Sequence, residues 1–355
     1  MSQPQRTIEH LLKHGILSAK HADAAATHLK VYPNKQTWLA FFDKALLMIG
    51  SVALALALVF FIAYNWLSMG KMGKFALVEG ALVITIALYV GLHFTRRFRQ
   101  RFQLIRQLLL LIASIITGSL LALFGQIYQT GADTWQLFSA WALLITPWVM
   151  IARFPALWLL WLGLVNASLM LYLDVTGLRF LNHGFDNHFQ MTALALVNVI
   201  AFCGWLMSID NKRAASNHIK TSQTNTGLHW STYVVGLVST YFTTYLAIIT
   251  VVNDGDMSAT LVAIVLWLGW CAFMFWRFYQ RHVDVLILTY LAFSIIIVVM
   301  FWVGKWVLDD FDESGFLVLA LLVIGMSSAA VVWLRNVARN SSSKTLMVKR
   351  GADDE

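Results

Sequence analysis

The chain has 355 residues, of which 59% are hydrophobic and only 12% charged, with 15 Trp, 23 Phe and four Pro. A soluble domain carries about 25% charged residues. With a mean hydropathy of +0.68, this composition excludes an ordinary cytosolic enzyme, a disordered protein and a secreted module. The expected fold class is an all-α, polytopic membrane bundle. Its formal net charge is +8, and the useful question is where the basic residues fall. Cys203 and Cys271 sit in separate apolar runs, so neither a disulfide framework nor a multi-cysteine metal site is expected.

Residues 1–44 are polar and hold no apolar run, which predicts no cleavable signal peptide. The apolar stretch from Ala45 is expected to act as an uncleaved signal anchor. Before it, Ile8, Leu11 and Leu12, then Ala19, Ala22, Ala26 and Leu29, stand at helical spacing. Gly15 fits a helix stop and Ser18 a following N-cap. Tyr32-Pro33-Asn34 ends the second helix, because the residue before proline is pushed out of the α region. A small helical hairpin over 1–44 follows, too small to hold its own core.

A membrane-spanning helix needs about 20 mostly apolar residues. That rule predicts ten spans, near 45–66, 73–94, 107–128, 136–152, 154–174, 190–209, 230–252, 258–277, 284–303 and 315–335. The fourth and fifth are separated only at Arg153, between Pro147 and Pro155, and the simplest account is a helical hairpin folded there. Ten spans place 22 of the 26 Lys and Arg on one side, leaving Lys71, Lys74, Arg179 and Lys305 on the other. Cytoplasmic loops carry the Lys/Arg excess, so both termini are expected in the cytoplasm. The bundle is assigned to 45–335 and a flexible cytoplasmic tail to 336–355. Loops are too short for a separate catalytic domain. Trp66, Trp135, Trp302 and Trp306 mark the outer boundary, and Trp230, Trp276 and Trp333 the inner one, as interfacial anchors.

Two strings carry a resemblance. One is Phe61-Ile-Ala-Tyr-Asn-Trp66, followed by Lys71 and Lys74. The other is Gly125-Gln-Ile-Tyr-Gln-Thr-Gly-Ala-Asp133, followed by Trp141 and Pro147-Trp148. Together with Leu11-Leu-Lys-His-Gly-Ile-Leu-Ser18, they resemble the bacterial membrane proteins catalogued as domain of unknown function 2157, over roughly residues 5–150. The resemblance implies a bacterial inner-membrane protein and brings no established activity.

Chemistry-bearing side chains gather near the outer ends of the first three spans. Tyr64 and Asn65 end the first, and Gln126 and Tyr128 end the third, leading into Thr130, Gly131 and Asp133. Glu79 lies a turn or so inside the second and is the only acidic residue away from the ends of a predicted span. An intramembrane carboxylate is costly and is a functional-site hypothesis by default. No Lys or Arg stands three or four residues from it, and Lys74 reaches it only at a frayed helix end. Lys71 is a second nearby cation. Two readings stay open: a protonatable or ligand-binding carboxylate in an outward-facing pocket, or a hydrogen-bonded clasp joining the first three spans. Gly131 allows the left-handed turn that closes a helix. Asn166, Asp174 and Asn198 add polar groups to the fifth and sixth spans, too scattered to assign.

In the loop 175–189, His183, Asp186 and His188 are ligand types that zinc uses, but their spacing matches no metal motif and no metal is expected. His10 and His14 are one turn apart, and His14 suits a helix C-terminus. No phosphate-binding loop, nucleophile elbow or H-E-x-x-H string occurs, and no cofactor is implied. Anionic lipid headgroups account for the basic cluster Arg96–Arg106 better than nucleic acid does. Three functions remain. The first is a scaffold or subunit of a membrane or envelope complex, with a membrane or periplasmic protein partner. The second is a transporter of a neutral or lipid-like molecule; no inverted repeat supports it. The third is a membrane enzyme on a lipid-linked substrate, with Glu79 as acid or base and Asp133 the only second carboxylate nearby.

Overall fold

The computed structural model describes residues 8, 11–12, 16–28, 35–65, 67–94, 103–176, 186–217, 228–252, 257–281, 283–310 and 314–353. Among the described residues there are eleven α-helices and no strand. Ten of the helices are long and apolar enough to cross a membrane. Ahead of them stand a 3-10 turn, Ala19–His21, and α1, Ala22–His28. The Ile16 and Leu17 amides both donate to the Leu11 carbonyl, and His21 N–H donates to Ser18. The Gly15 stop and the Tyr32–Asn34 break lie outside the described residues.

The chain divides into two compact units, Met1–Gln129 and Thr130–Glu355. In the first, α2 is Lys35–Tyr64, α3 Lys71–Phe94 and α4 Gln103–Tyr128. Helix α2 starts ten residues before the apolar run. Trp38, Leu39, Phe41 and Phe42 continue its pattern, and the Trp38 and Phe42 rings stack at 5.7 Å, one turn apart. Thirty residues rise about 45 Å, more than the ~30 Å hydrocarbon layer needs. Helix α4 packs against both α2 and α3, around Ala55, Ile62, Val78, Ile112, Ile116 and Leu123. Its buried Ser114 and Thr117 donate to carbonyls four residues back, at 2.8 and 2.9 Å. Their hydroxyls are thereby satisfied without water.

In the second unit, α5 is Thr134–Ala152 and α6 Pro155–Thr176. The turn between them forms as the sequence predicts. Arg153 adopts the left-handed conformation, with φ 47°, and Pro155 takes the first helical position, where its missing N–H is no loss. Trp161 Nε1 donates to Thr146 Oγ1 at 3.0 Å, and the Trp135 and Tyr172 rings meet at 4.8 Å. Both pairs match an early residue of one helix with a late residue of the other, the register of an antiparallel hairpin.

Next come α7, Asp186–Asn217, α8, Trp230–Val252, and α9, Met257–Phe275, which runs on as a π-helical turn, Trp276–Arg281. Helices α10, Val285–Asp310, and α11, Ser314–Asp353, complete the unit. Helix α8 packs against α6, α7, α9 and α10. Its small side chains allow this. Gly236 lies so close to Phe202 that an added Cβ would meet the ring at 3.1 Å. Small residues let membrane helices approach closely, where no hydrophobic force drives them together. Phe202, Trp270, Met274, Phe278, Ile287 and Leu288 form the core beside it. Helix α11 packs on α10 and stays helical to Asp353.

Candidate functional site

The predicted polar cluster divides between the two units. In the first, Tyr64 is 91% exposed. Asn65 turns back on its own helix, its Nδ2 donating to the Phe61 carbonyl at 2.9 Å. Its carbonyl accepts from Ser68 Oγ and Met69 N–H. Tyr128 packs its ring on Phe124 at 4.7 Å and on Phe75 at 5.9 Å. The end of α4 therefore lies beside the start of α3. Glu79 stands one turn after Phe75, eight residues into α3, which is about 12 Å along the axis. It is exposed, and among the described residues it makes no hydrogen bond or ion pair. Gln126 and Lys71 are exposed too, while Lys74 is buried. Glu79 thus flanks the α3–α4 contact, whereas Asn65 spends its amide on α2.

Thr130, Gly131 and Asp133 open the second unit, all exposed. Gln129 and Gly131 both have positive φ, 45° and 62°. The Asp133 carbonyl accepts from Gln136 N–H at 3.0 Å, and its carboxylate makes no capping bond.

A second polar assembly lies in the interior of the second unit. Asn198 of α7 is fully buried. Its Nδ2 donates to Asn166 Oδ1 at 2.6 Å, and Asn166 Nδ2 returns a bond to Asn198 Oδ1 at 3.2 Å. Ser239 of α8 donates to the Asn198 carbonyl at 2.8 Å. One turn on, Thr244 shares a 2.6 Å hydroxyl bond with Ser294 of α10, which also accepts from Trp267 Nε1 of α9. Trp270 Nε1 donates to Thr240 Oγ1 at 3.3 Å. All these residues sit near the middle of their helices. Among the described residues, these bonds join five helices through neutral groups.

This assembly escaped the sequence reading, although a signal for it was present. Thr232, Gly236, Ser239, Thr240, Thr243, Thr244, Ala247 and Thr250 fall at helical spacing and mark one small, hydroxyl-rich face on α8. Asn166 and Asn198, 32 positions apart, prove to be direct partners.

Beside the Asn pair, a cleft of about 640 Å³ opens between α5, α6 and α7. Trp135, Tyr172 and Trp161 supply aromatic walls, and Ser139, Thr146 and Ser168 supply hydroxyls. Ser168 Oγ already donates to the Trp135 carbonyl and Thr146 accepts from Trp161. Among the described residues, no carboxylate, Lys or Arg lines the cleft. Its chemistry suits a neutral, largely apolar molecule carrying one or two polar groups.

Of the weak metal candidates, His188 is buried in the first turn of α7, its two ring nitrogens without a hydrogen-bond partner among the described residues. His183 and the Asp186 side chain lie outside the described residues. Among those described, no group of three or more His, Cys, Asp or Glu is placed to hold a metal ion.

No curated protein and no solved structure matches the chain. Over residues 9–158 it matches the model of a family described as predicted membrane protein (DUF2157), the family that its Ala63–Trp66 and Gly125–Asp133 strings resemble.

Proposed function

We propose that the chain is a multi-pass subunit or scaffold of a membrane complex in the bacterial inner membrane, with both termini in the cytoplasm. One observation carries the reading: Glu79 is exposed, some 12 Å into a spanning helix, with no hydrogen bond or ion pair among the described residues. A carboxylate facing hydrocarbon is costly enough that such residues are rare and pair with other polar groups. A polar helix of a second protein supplies that pairing. The orientation rests on the 22 basic residues that alternating spans bring to one side.

The test is site-specific photo-crosslinking in native membranes from Val83, which is 65% exposed one turn after Glu79. A discrete protein adduct is expected, and Glu79→Leu should remove it. Crosslinking to lipid alone, or an adduct indifferent to Glu79→Leu, would defeat the proposal. A fluorescent-protein fusion after Glu355 should fluoresce, as cytoplasmic fusions do.

The cleft between α5, α6 and α7 favours a second reading, in which the second unit binds a neutral, lipid-like molecule for transport or display. A photoactivatable diacylglycerol should label wild-type protein there, and Ser139→Trp, which fills the space, should block the labelling. Equal labelling of both would remove this reading.

A further inference from the structure

We propose that the π-helical turn after α9 forms a binding site for the phosphate of an anionic membrane lipid. A cleft of about 310 Å³ is lined by Cys203, Leu206 and Met207 of α7 and by Phe273, Trp276, Arg277 and Arg281. It lies wholly within the second unit. Two arginines therefore line one small space with apolar walls from two spanning helices. That combination fits a headgroup phosphate with an acyl chain running along Leu206 and Phe273.

The backbone builds the site. In an α-helix, residues five apart point about 140° away from each other, at about 100° per residue. A π-helix bonds residue i to i+5, and this aligns Trp276 with Arg281. The Arg281 guanidinium accordingly lies over the Trp276 ring, 4.7 Å from its centroid. Such a contact holds the planar fork in place, and a fixed fork suits the two oxygens of a phosphate. Arg277 is buried, its Cζ 5.7 Å from the Phe278 ring centroid. Arg281 is exposed and, among the described residues, makes no ion pair. The nearest acidic residue in the chain, Asp284, is engaged elsewhere, by Tyr233 and by the amides of Leu286 and Ile287.

Position along the span agrees. The span Met257–Arg281 ends at the second arginine, so the charges lie where hydrocarbon gives way to headgroups. Basic pockets between spanning helices at this level bind anionic headgroups. Trp276 is an interfacial anchor by the same geometry.

The test is native mass spectrometry of the full chain from detergent micelles holding equal phosphatidylglycerol and phosphatidylcholine. The wild type should retain one phosphatidylglycerol in preference, and Arg281→Gln should cut that preference about five-fold, the equivalent of about 1 kcal/mol for a basic residue at an anionic surface. Arg281 is exposed, so this variant leaves the core intact; Lys71→Gln in the other unit should leave the preference unchanged. Equal retention of both lipids by the wild type, or an unchanged preference in Arg281→Gln, would overturn the site. Millimolar inorganic phosphate should fail to displace the lipid. Full displacement would reassign the cleft to free phosphate and overturn the lipid proposal.

Discussion

Asn198 and Asn166 exchange amide hydrogen bonds across α7 and α6, at 2.6 and 3.2 Å, in the middle of the second unit. Each amide also donates to its own helix, to the Leu194 and Leu162 carbonyls at 2.8 Å. Each single change therefore orphans part of its partner. Asn198→Leu should lower stability by about 1 kcal/mol, within the range of interhelical polar contacts in membranes. The informative measurement is a double-mutant cycle with Asn166→Leu, followed by denaturant titration in detergent. A coupling of about 0.6 kcal/mol or more is expected. Additive losses would show that the two amides do not act as a pair.

Gly236 and Phe202 set the closest approach of α7 to α8. Alanine in place of glycine gains up to about 1 kcal/mol of helix propensity, so the sign depends on whether Phe202 can yield. It is fully buried and held between Trp270 at 5.5 Å and Phe278 at 6.2 Å. A Cβ at 3.1 Å then forces a shift in a packed core, typically costing about 1–3 kcal/mol. Gly236→Ala should lower the melting temperature, and adding Phe202→Leu should restore part of it. A more stable single variant would show that the ring gives way freely.

The spans were legible because a bilayer demands a long apolar run, and composition alone reports that. The Arg153 turn was legible for a local reason, two prolines flanking one basic residue. The start of α2 at Lys35 was less so, since Trp38 to Phe42 extend the helix beyond what the hydrocarbon layer needs. The partnership of Asn166 with Asn198 depends on which faces of α6 and α7 meet. In an apolar chain, hydrophobic periodicity does not report that: lipid-facing and core-facing residues are both Leu, Val and Phe. What does report it is the small and hydroxyl residues, as on α8. Glu79 could be picked out by its charge, but its exposure could not, because Val78 beside it is fully buried.

Glu79 lends itself to a clean stability test. With no hydrogen bond or ion pair among the described residues, its removal should not weaken the isolated chain. Glu79→Leu in detergent should melt at or above the wild-type temperature, with any loss within about 0.5 kcal/mol. Association with a partner should fail in the same variant. A drop of more than about 1 kcal/mol in the isolated protein would instead place the carboxylate in a clasp within the chain.

Asp284 joins three elements at the end of the second unit's core. Its Oδ2 accepts from Tyr233 Oη of α8 at 2.9 Å, and its Oδ1 accepts from the Leu286 and Ile287 amides, which caps α10. Its own amide donates to the Phe278 carbonyl in the π turn at 3.3 Å. Tyr233→Phe removes one donor and keeps the cap, so it should cost about 1 kcal/mol. Asp284→Ala loses the cap, itself about 1 kcal/mol, and leaves the Tyr233 hydroxyl without its acceptor, for a total of about 2–3 kcal/mol. Asp284→Asn keeps one acceptor oxygen for the cap and presents its Nδ2 as a donor to the Tyr233 hydroxyl oxygen, so it should cost less than Asp284→Ala. Thermal melts of the three variants check the order. Because the cap sits three residues after Arg281, Asp284→Ala should also loosen the π turn and weaken lipid retention, while Tyr233→Phe leaves retention intact. If the two variants lose lipid equally, the contact with α8, rather than the cap, holds the turn in place.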